Sequence, residues 1–62
     1  MISETEIYAL ALLVERKHGE DGTRYIAERV GKFASEGQQG GVDLWKAVAS
    51  RFDELTATRP MN

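Results

Sequence analysis

Two glycine-bearing breaks constrain this fold more than any other feature, because they divide the chain into three segments of helical length. The first break is His-Gly-Glu-Asp-Gly at residues 18–22, and the second is Gly-Gln-Gln-Gly-Gly at residues 37–41. Between the breaks, apolar residues recur every three or four positions, the period of an amphipathic helix. No segment alternates apolar and polar residues as a strand does. The sequence therefore predicts an all-α fold.

The first segment carries helix signals at both ends. Ser3, followed three residues later by Glu6, is a capping box in which the Ser3 hydroxyl accepts the backbone N–H of Glu6. Basic residues at 16–18 and then Gly19 are typical of a helix C-terminus. These signals predict a helix over about residues 4–18.

The second segment has Asp21 as its predicted N-cap and Gly37 as its predicted C′ residue, which places a helix at about residues 22–36. Its apolar stripe is expected to contain Ile26, Ala27, Val30, Phe33 and Ala34.

The third segment is predicted to be helical over about residues 42–57. Its bulky residues follow a 3-4-3 spacing, which is typical of a seam that packs against neighbouring helices. We therefore expect the centre of the core to be built from Trp45, Val48, Phe52 and Leu55.

Short connections between these helices favour antiparallel neighbours, so we predict an up-down-up three-helix bundle. A second break of about five residues is longer than a tight turn and supports this choice. The alternative is an orthogonal arrangement that resembles a helix-turn-helix. We expect one domain over residues 1–62, with residues 58–62 as a frayed tail around the single proline, Pro60.

Composition excludes several classes of function. The chain has no cysteine, so disulfides and thiol catalysis are excluded, and its single histidine would leave only carboxylates to complete a metal site. A net charge of −2 makes nucleic acid an unlikely partner. The longest mostly apolar run, residues 7–14, is too short to span a membrane. We expect a cytoplasmic protein without a catalytic site, metal or cofactor.

The first break gathers polar residues that allow three interpretations. One is an anion site in which free backbone N–H groups and two basic side chains converge, formed by His18, Gly22, Thr23 and Arg24. Another is a hard-cation site built from the carboxylates of Glu15, Glu20 and Asp21. The third is that these residues end one helix and begin the next, and this interpretation is favoured because boundary signals already explain the residue types.

The first helix carries more apolar residues than a core of this size requires. Ile7, Leu10 and Val14 suffice for the inward side, so Tyr8 and Leu12 point elsewhere. A chain of 62 residues is also near the lower size limit for an independently stable domain. We therefore predict a partner-binding surface, with a dimer favoured, made of Tyr8, Leu12, Arg16, Tyr25 and Arg29.

The leading functional hypothesis is a non-enzymatic interaction module that self-associates or binds a protein through the first helix. The alternative is a small regulator that contacts nucleic acid through the basic residues of the first two helices, which are Arg16, Arg24, Arg29 and Lys32. The dependence of binding affinity on salt concentration separates these hypotheses. Binding to phosphates weakens steeply as salt rises, whereas binding through an apolar interface does not.

Three stretches of the sequence carry a resemblance to a known family. They are LLVERKHGEDG at residues 12–22, RYIAE at 24–28 and LWKAVASRFDEL at 44–55. Together they resemble a family of very short, uncharacterised all-helical proteins from alphaproteobacteria, a domain of unknown function. The resemblance implies a small bacterial cytoplasmic protein and assigns no activity or site residues.

Overall fold

The computed structural model describes residues 3–57, which form three α-helices: α1 (Glu4–His18), α2 (Gly22–Ser35) and α3 (Gln39–Ala57). A 3₁₀ turn at Gly19–Asp21 joins α1 to α2, so the backbone is helical without interruption from residue 4 to residue 35. No strand occurs in this part of the chain, which confirms the all-α prediction. The predicted frayed tail at 58–62 lies outside the described residues.

The signals at the ends of α1 act as the sequence predicted. The Ser3 hydroxyl accepts the backbone N–H of Glu6 at 3.1 Å. At the other end, Gly19 has a φ of 52° and donates its N–H to the carbonyl of Glu15. A positive φ favours glycine, because a Cβ would be strained there. The observed bounds of α1 therefore equal the predicted ones.

The C-terminus of α2 is a Schellman motif. Gly37, with a φ of 71°, donates its N–H to the carbonyl of Ala34 at 3.1 Å, and Gln38 donates to the carbonyl of Phe33 at 2.9 Å. These two bonds satisfy carbonyls that the end of a helix leaves without partners. The predicted role of Gly37 is confirmed, and the helix ends one residue earlier than predicted.

The N-terminus of α2 differs from the prediction. Asp21 occupies the N-cap position, but its side chain makes no capping hydrogen bond. The 3₁₀ turn supplies a backbone acceptor instead, because the N–H of Gly22 donates to the carbonyl of Gly19. A turn that leads directly into a helix provides acceptors for its first N–H groups, so no side-chain cap is needed.

The helix α3 begins at Gln39, three residues before its predicted start near Val42. The side chain of Gln39 donates to the carboxylate of Asp43 at 2.9 Å, and the N–H of Val42 donates to the carbonyl of Gln38 at 3.1 Å. Two consecutive glycines disfavour a helix on propensity alone, and this misplaced the boundary. The second connection is therefore residues 36–38, shorter than the five-residue break that had favoured an up-down-up bundle.

Two glycines allow α2 and α3 to approach each other closely. A Cβ on Gly22, at the start of α2, would lie 2.3 Å from Cζ of Phe52, near the end of α3. Reciprocally, a Cβ on Gly41, near the start of α3, would lie 2.4 Å from the ring of Phe33, near the end of α2. Each phenylalanine thus packs on a glycine at the opposite end of the other helix, so α2 and α3 run antiparallel.

The direction of α1 also departs from the predicted topology. Near its start, Glu4 forms an ion pair with Arg51, in the second half of α3. Near its end, Val14 and His18 line the same cleft as Trp45, in the first half of α3. The two helices therefore run in opposite senses, whereas an up-down-up bundle would make the first and third helices parallel.

The core lies along α3, which contacts both other helices more extensively than they contact each other. Ala27 and Ala34, which were expected on the buried stripe of α2, are exposed. Leu10 and Leu55 are half-buried at the edge of the core. The buried apolar residues among those described are Ile7, Ala11, Val14, Ile26, Val42, Trp45, Val48 and Phe52.

Candidate functional site

The first helix has an apolar side that faces the core and an apolar side that faces solvent. On the outward side, Tyr8 is 46% exposed, Leu12 is 37% exposed and Leu13 is 47% exposed. No other large hydrophobic side chain among residues 3–57 reaches this degree of exposure. Single exposed apolar residues are ordinary, but three neighbours on one helix form a patch of the kind that marks interaction sites.

The patch is continuous on the helix surface. At about 100° per residue, Leu12, Ala9 and Leu13 project away from the buried residues of α1, and Tyr8 projects to the side, next to Leu12. Ala9 is exposed and lies one turn before Leu13, as Tyr8 lies one turn before Leu12. We call these four residues the outer face of α1. The prediction contained Tyr8 and Leu12 but missed Leu13, which the spacing of Ala9 and Leu13 could have revealed.

The ends of the outer face carry opposite charges. Glu4 and Glu6 lie in the first turn of α1, whereas Arg16 and Lys17 lie in the last turn with His18. This distribution suits the helix dipole, which is positive at the N-terminus and negative at the C-terminus. Arg16, a predicted partner-binding residue, is exposed at the basic end. Any helix that packs along this surface meets acidic groups at one end and basic groups at the other.

Tyr25, a predicted partner-binding residue, is part of an aromatic cluster and lines one cleft together with Leu13 of the outer face. Its ring stacks on His18 with the centroids 4.1 Å apart, and it meets Trp45 edge-on at 5.9 Å. Both Tyr25 and His18 are half-buried. The prediction included Tyr25 in the partner-binding surface, but the start of α2 lies against the end of α1, so the ring is partly covered. The aromatic cluster holds the junction of the two helices.

Arg29 is likewise directed to the aromatic residues rather than to a partner surface. Its guanidinium carbon lies 5.3 Å from the ring centroid of Phe33 and 5.5 Å from that of Trp45, within the range of cation–π attraction. Its Nε is buried and makes no hydrogen bond with the residues described. The prediction that Arg29 belongs to the partner surface is therefore corrected. The nucleic-acid alternative also loses one of its four basic side chains to this internal contact.

The residues of the anticipated anion site are not gathered around a free space. Gly22 is buried beneath Phe52 and its N–H is already donated to Gly19, so this amide is not available to an anion. His18 is held in its stack with Tyr25. Thr23 and Arg24 are exposed on the first turn of α2.

Within residues 3–57, no group of three or more histidine, aspartate or glutamate side chains is placed to hold a metal ion. Glu15, Glu20 and Asp21, the carboxylates of the hard-cation interpretation, are therefore not placed together to hold one.

An open cleft of about 320 Å³ lies between α2 and α3. Its walls are mainly apolar, from Ile26, Val30 and Phe52, with Lys46 and Asp53 among the lining residues. Sites for small molecules combine an apolar wall with a few convergent polar groups. Lys46 and Asp53 are both exposed. The cleft is therefore a weaker candidate than the outer face of α1.

None of the helices within the described residues is long and apolar enough to cross a membrane. No curated protein and no solved structure matches the chain. One family model does match, and it covers nearly the whole sequence: the chain belongs to a family of unknown function (DUF6961), whose model matches residues 3–59.

Proposed function

We propose that this protein is a non-enzymatic interaction module that binds a protein through the outer face of α1. The observation that carries the proposal is the simultaneous exposure of Tyr8, Leu12 and Leu13 on one helix surface. Burial of these side chains against a partner would remove apolar area from water, at about 25 cal/mol per Å². Tyrosine and arginine are also frequent anchors at interfaces; Tyr8 lies on this surface, and the exposed Arg16 lies one turn after Leu12.

The remaining structure is suited to present this helix to a partner. The inward side of α1 packs on α3 through Ile7, Ala11 and Val14, so the outer face is held on a formed helix. A preformed surface loses less conformational entropy on binding than a disordered segment does. As part of the proposal, the three helices act as one small bundle with α3 at its centre.

The same proposal sets the protein in the bacterial cytoplasm. Its support is the resemblance to an alphaproteobacterial family and the absence of cysteine, so that the fold does not depend on disulfides, which form in oxidising compartments.

Site-specific photo-crosslinking in the cells that naturally produce the protein tests this function. A benzophenone side chain at Ala9 would stand in the centre of the outer face, and the same group at Glu28, on the exposed side of α2, is the matched control. We expect irradiation to give a discrete covalent adduct with a protein from Ala9 and none from Glu28. Leu12→Glu in the same chain should abolish the adduct, because a charge would be placed inside the apolar contact.

Equal crosslinking from Ala9 and Glu28, or no adduct from either, would overturn the proposed function. Both labelled proteins should migrate like the wild type in a native gel and give the same circular dichroism spectrum. This control shows whether either label has unfolded the chain.

A further inference from the structure

We infer that the occupant of the outer face of α1 is a second copy of this chain, packed antiparallel to the first about a two-fold axis. This inference rests on the proposed function and names its partner. The reason is that the surface is complementary to itself in both its apolar centre and its charged ends. Closed two-fold dimers use one patch on both subunits, so a self-complementary patch is what such a contact requires.

The apolar centre is nearly symmetric along the helix. Tyr8 and Leu13 lie at its two ends, and Ala9 and Leu12 lie between them. An antiparallel pair whose axis passes beside residues 10 and 11 brings each edge of the outer face against the same edge of the other copy, so Tyr8 lies near Leu12 of the other copy. On the other edge, the small side chain of Ala9 faces Leu13 of the other copy. Large residues opposite small ones allow two helices to interdigitate.

The charges favour the same arrangement. Glu6 and Lys17 lie on the same edge of the outer face, next to Leu13, at about 100° per residue. Under a two-fold axis perpendicular to the helix, this edge meets the same edge of the other copy in the opposite direction. Glu6 of each copy then lies near Lys17 of the other, which gives two equivalent ion pairs. On the opposite edge, Glu4 is already compensated by Arg51 of its own chain.

A parallel pair would have the reverse effect. It would bring the acidic first turns of the two helices together and the basic last turns together. It would also align the two helix dipoles in the same direction. Like charges that approach within a Debye length repel, and at low salt this distance exceeds the width of a helix. Charge therefore selects the antiparallel orientation.

The contact spans only about two turns of helix, so its area lies at the low end of specific interfaces, and we expect a dissociation constant on the order of 100 µM. Sedimentation equilibrium at low ionic strength, up to about 1 mM protein, measures it. Glu6→Lys and Lys17→Glu should each weaken association about fivefold or more, because each converts two attractive pairs into repulsive ones. The double variant should return to within about twofold of wild type, because both pairs are restored with exchanged signs.

Glu28→Lys is the matched control, since it makes the same charge change on the exposed side of α2. It should leave the dissociation constant within about twofold of wild type. Because both substitutions on α1 oppose the helix dipole, the fluorescence of the buried Trp45, the single tryptophan, is recorded for every variant. An equimolar mixture of the two single variants provides a second test, because its mixed dimer has two attractive pairs without the double substitution.

A double variant that associates no better than the single variants, together with a mixture that does not recover, would overturn the antiparallel pairing. A wild type that is monomeric at about 1 mM would overturn self-association. These failures are distinguishable from failure of the proposed function. A monomeric protein whose Ala9 adduct contains a different protein loses only this inference, whereas the absence of any adduct removes both.

Discussion

The outward sides of α1 and α2 differ although the two helices are nearly equal in length. The solvent side of α2 carries Arg24, Glu28 and Lys32, with the small residues Ala27 and Gly31 beside them. The solvent side of α1 carries Tyr8, Leu12 and Leu13. Arg24, Glu28 and Lys32 follow i,i+4 spacing with alternating sign, which is typical of a helix surface that stays in water. The sequence of α2 is thus explained by the fold of one chain.

The sequence of α1 is not explained in the same way. Its inward side already supplies Ile7, Ala11 and Val14 to the core, so folding of a single chain does not require the outer residues to be apolar. A helix that is apolar on more than one side is expected to be buried on more than one side. We propose that stability accounts for one apolar side of α1 and association for the other. Substitutions on each side can separate these two roles.

The largest expected effect is on the inward side of α1. Ile7→Ala removes a buried side chain and leaves a cavity against α3, so we expect the free energy of unfolding to fall by roughly 2–4 kcal/mol. Urea denaturation followed by the fluorescence of Trp45 measures this loss. A loss below about 0.5 kcal/mol would show that the inward side is not the one that holds the fold.

The next effect is at the close contact between α2 and α3. Gly22→Ala would place a Cβ 2.3 Å from Cζ of Phe52, so this buried aromatic ring would have to shift. We expect a loss of about 1–3 kcal/mol, the usual cost of overpacking a core. The same denaturation measurement applies, and an unchanged midpoint would contradict the described approach of the two helices.

Gly31→Ala makes the identical chemical change on the outward side of α2 and serves as the control. A Cβ there meets no atom within 4 Å. Alanine is the better helix former in an exposed helix interior, so we expect a gain of about 0.5–1 kcal/mol. A loss at Gly31 would mean that this side of α2 is covered, and the contrast between α1 and α2 would disappear.

The smallest effect on stability is expected on the outer face of α1. Leu12→Gln replaces an exposed apolar residue with a polar one of similar helix propensity, so the free energy of unfolding of dilute monomer should change by less than about 0.5 kcal/mol. The same variant should weaken association about tenfold, because an apolar centre then contains two amides without partners. A large loss of stability without a change in association would reverse the roles of the two sides.

Local signals predicted most of the helix boundaries. Ser3, Gly19 and Gly37 each act within a few residues of their own position, so a capping box and two positive-φ glycines are legible in the sequence. The start of α3 was predicted wrongly because local propensity disfavours glycine in a helix, whereas the position of Gly41 depends on a tertiary contact. It lies beneath Phe33, a residue of another helix.

The candidate site was predicted in part for the same reason. The exposure of Tyr8 and Leu12 follows from helical periodicity within α1, and it could be predicted. Tyr25 and Arg29 depend on where α2 lies relative to Trp45, which is a tertiary contact. The expected up-down-up topology relied on a loop length that the early start of α3 shortened.

The most direct test of the central claim, that two copies meet through the outer face of α1, is a dilution series observed by ¹H–¹⁵N correlation spectroscopy. Between about 1 mM and about 10 µM protein, the fraction of dimer should fall through its midpoint. We expect the backbone resonances of Tyr8, Ala9, Leu12 and Leu13 to shift with concentration while those of Arg24, Glu28 and Lys32 stay constant. Shifts centred on α2, or spectra that do not depend on concentration, would contradict the claim.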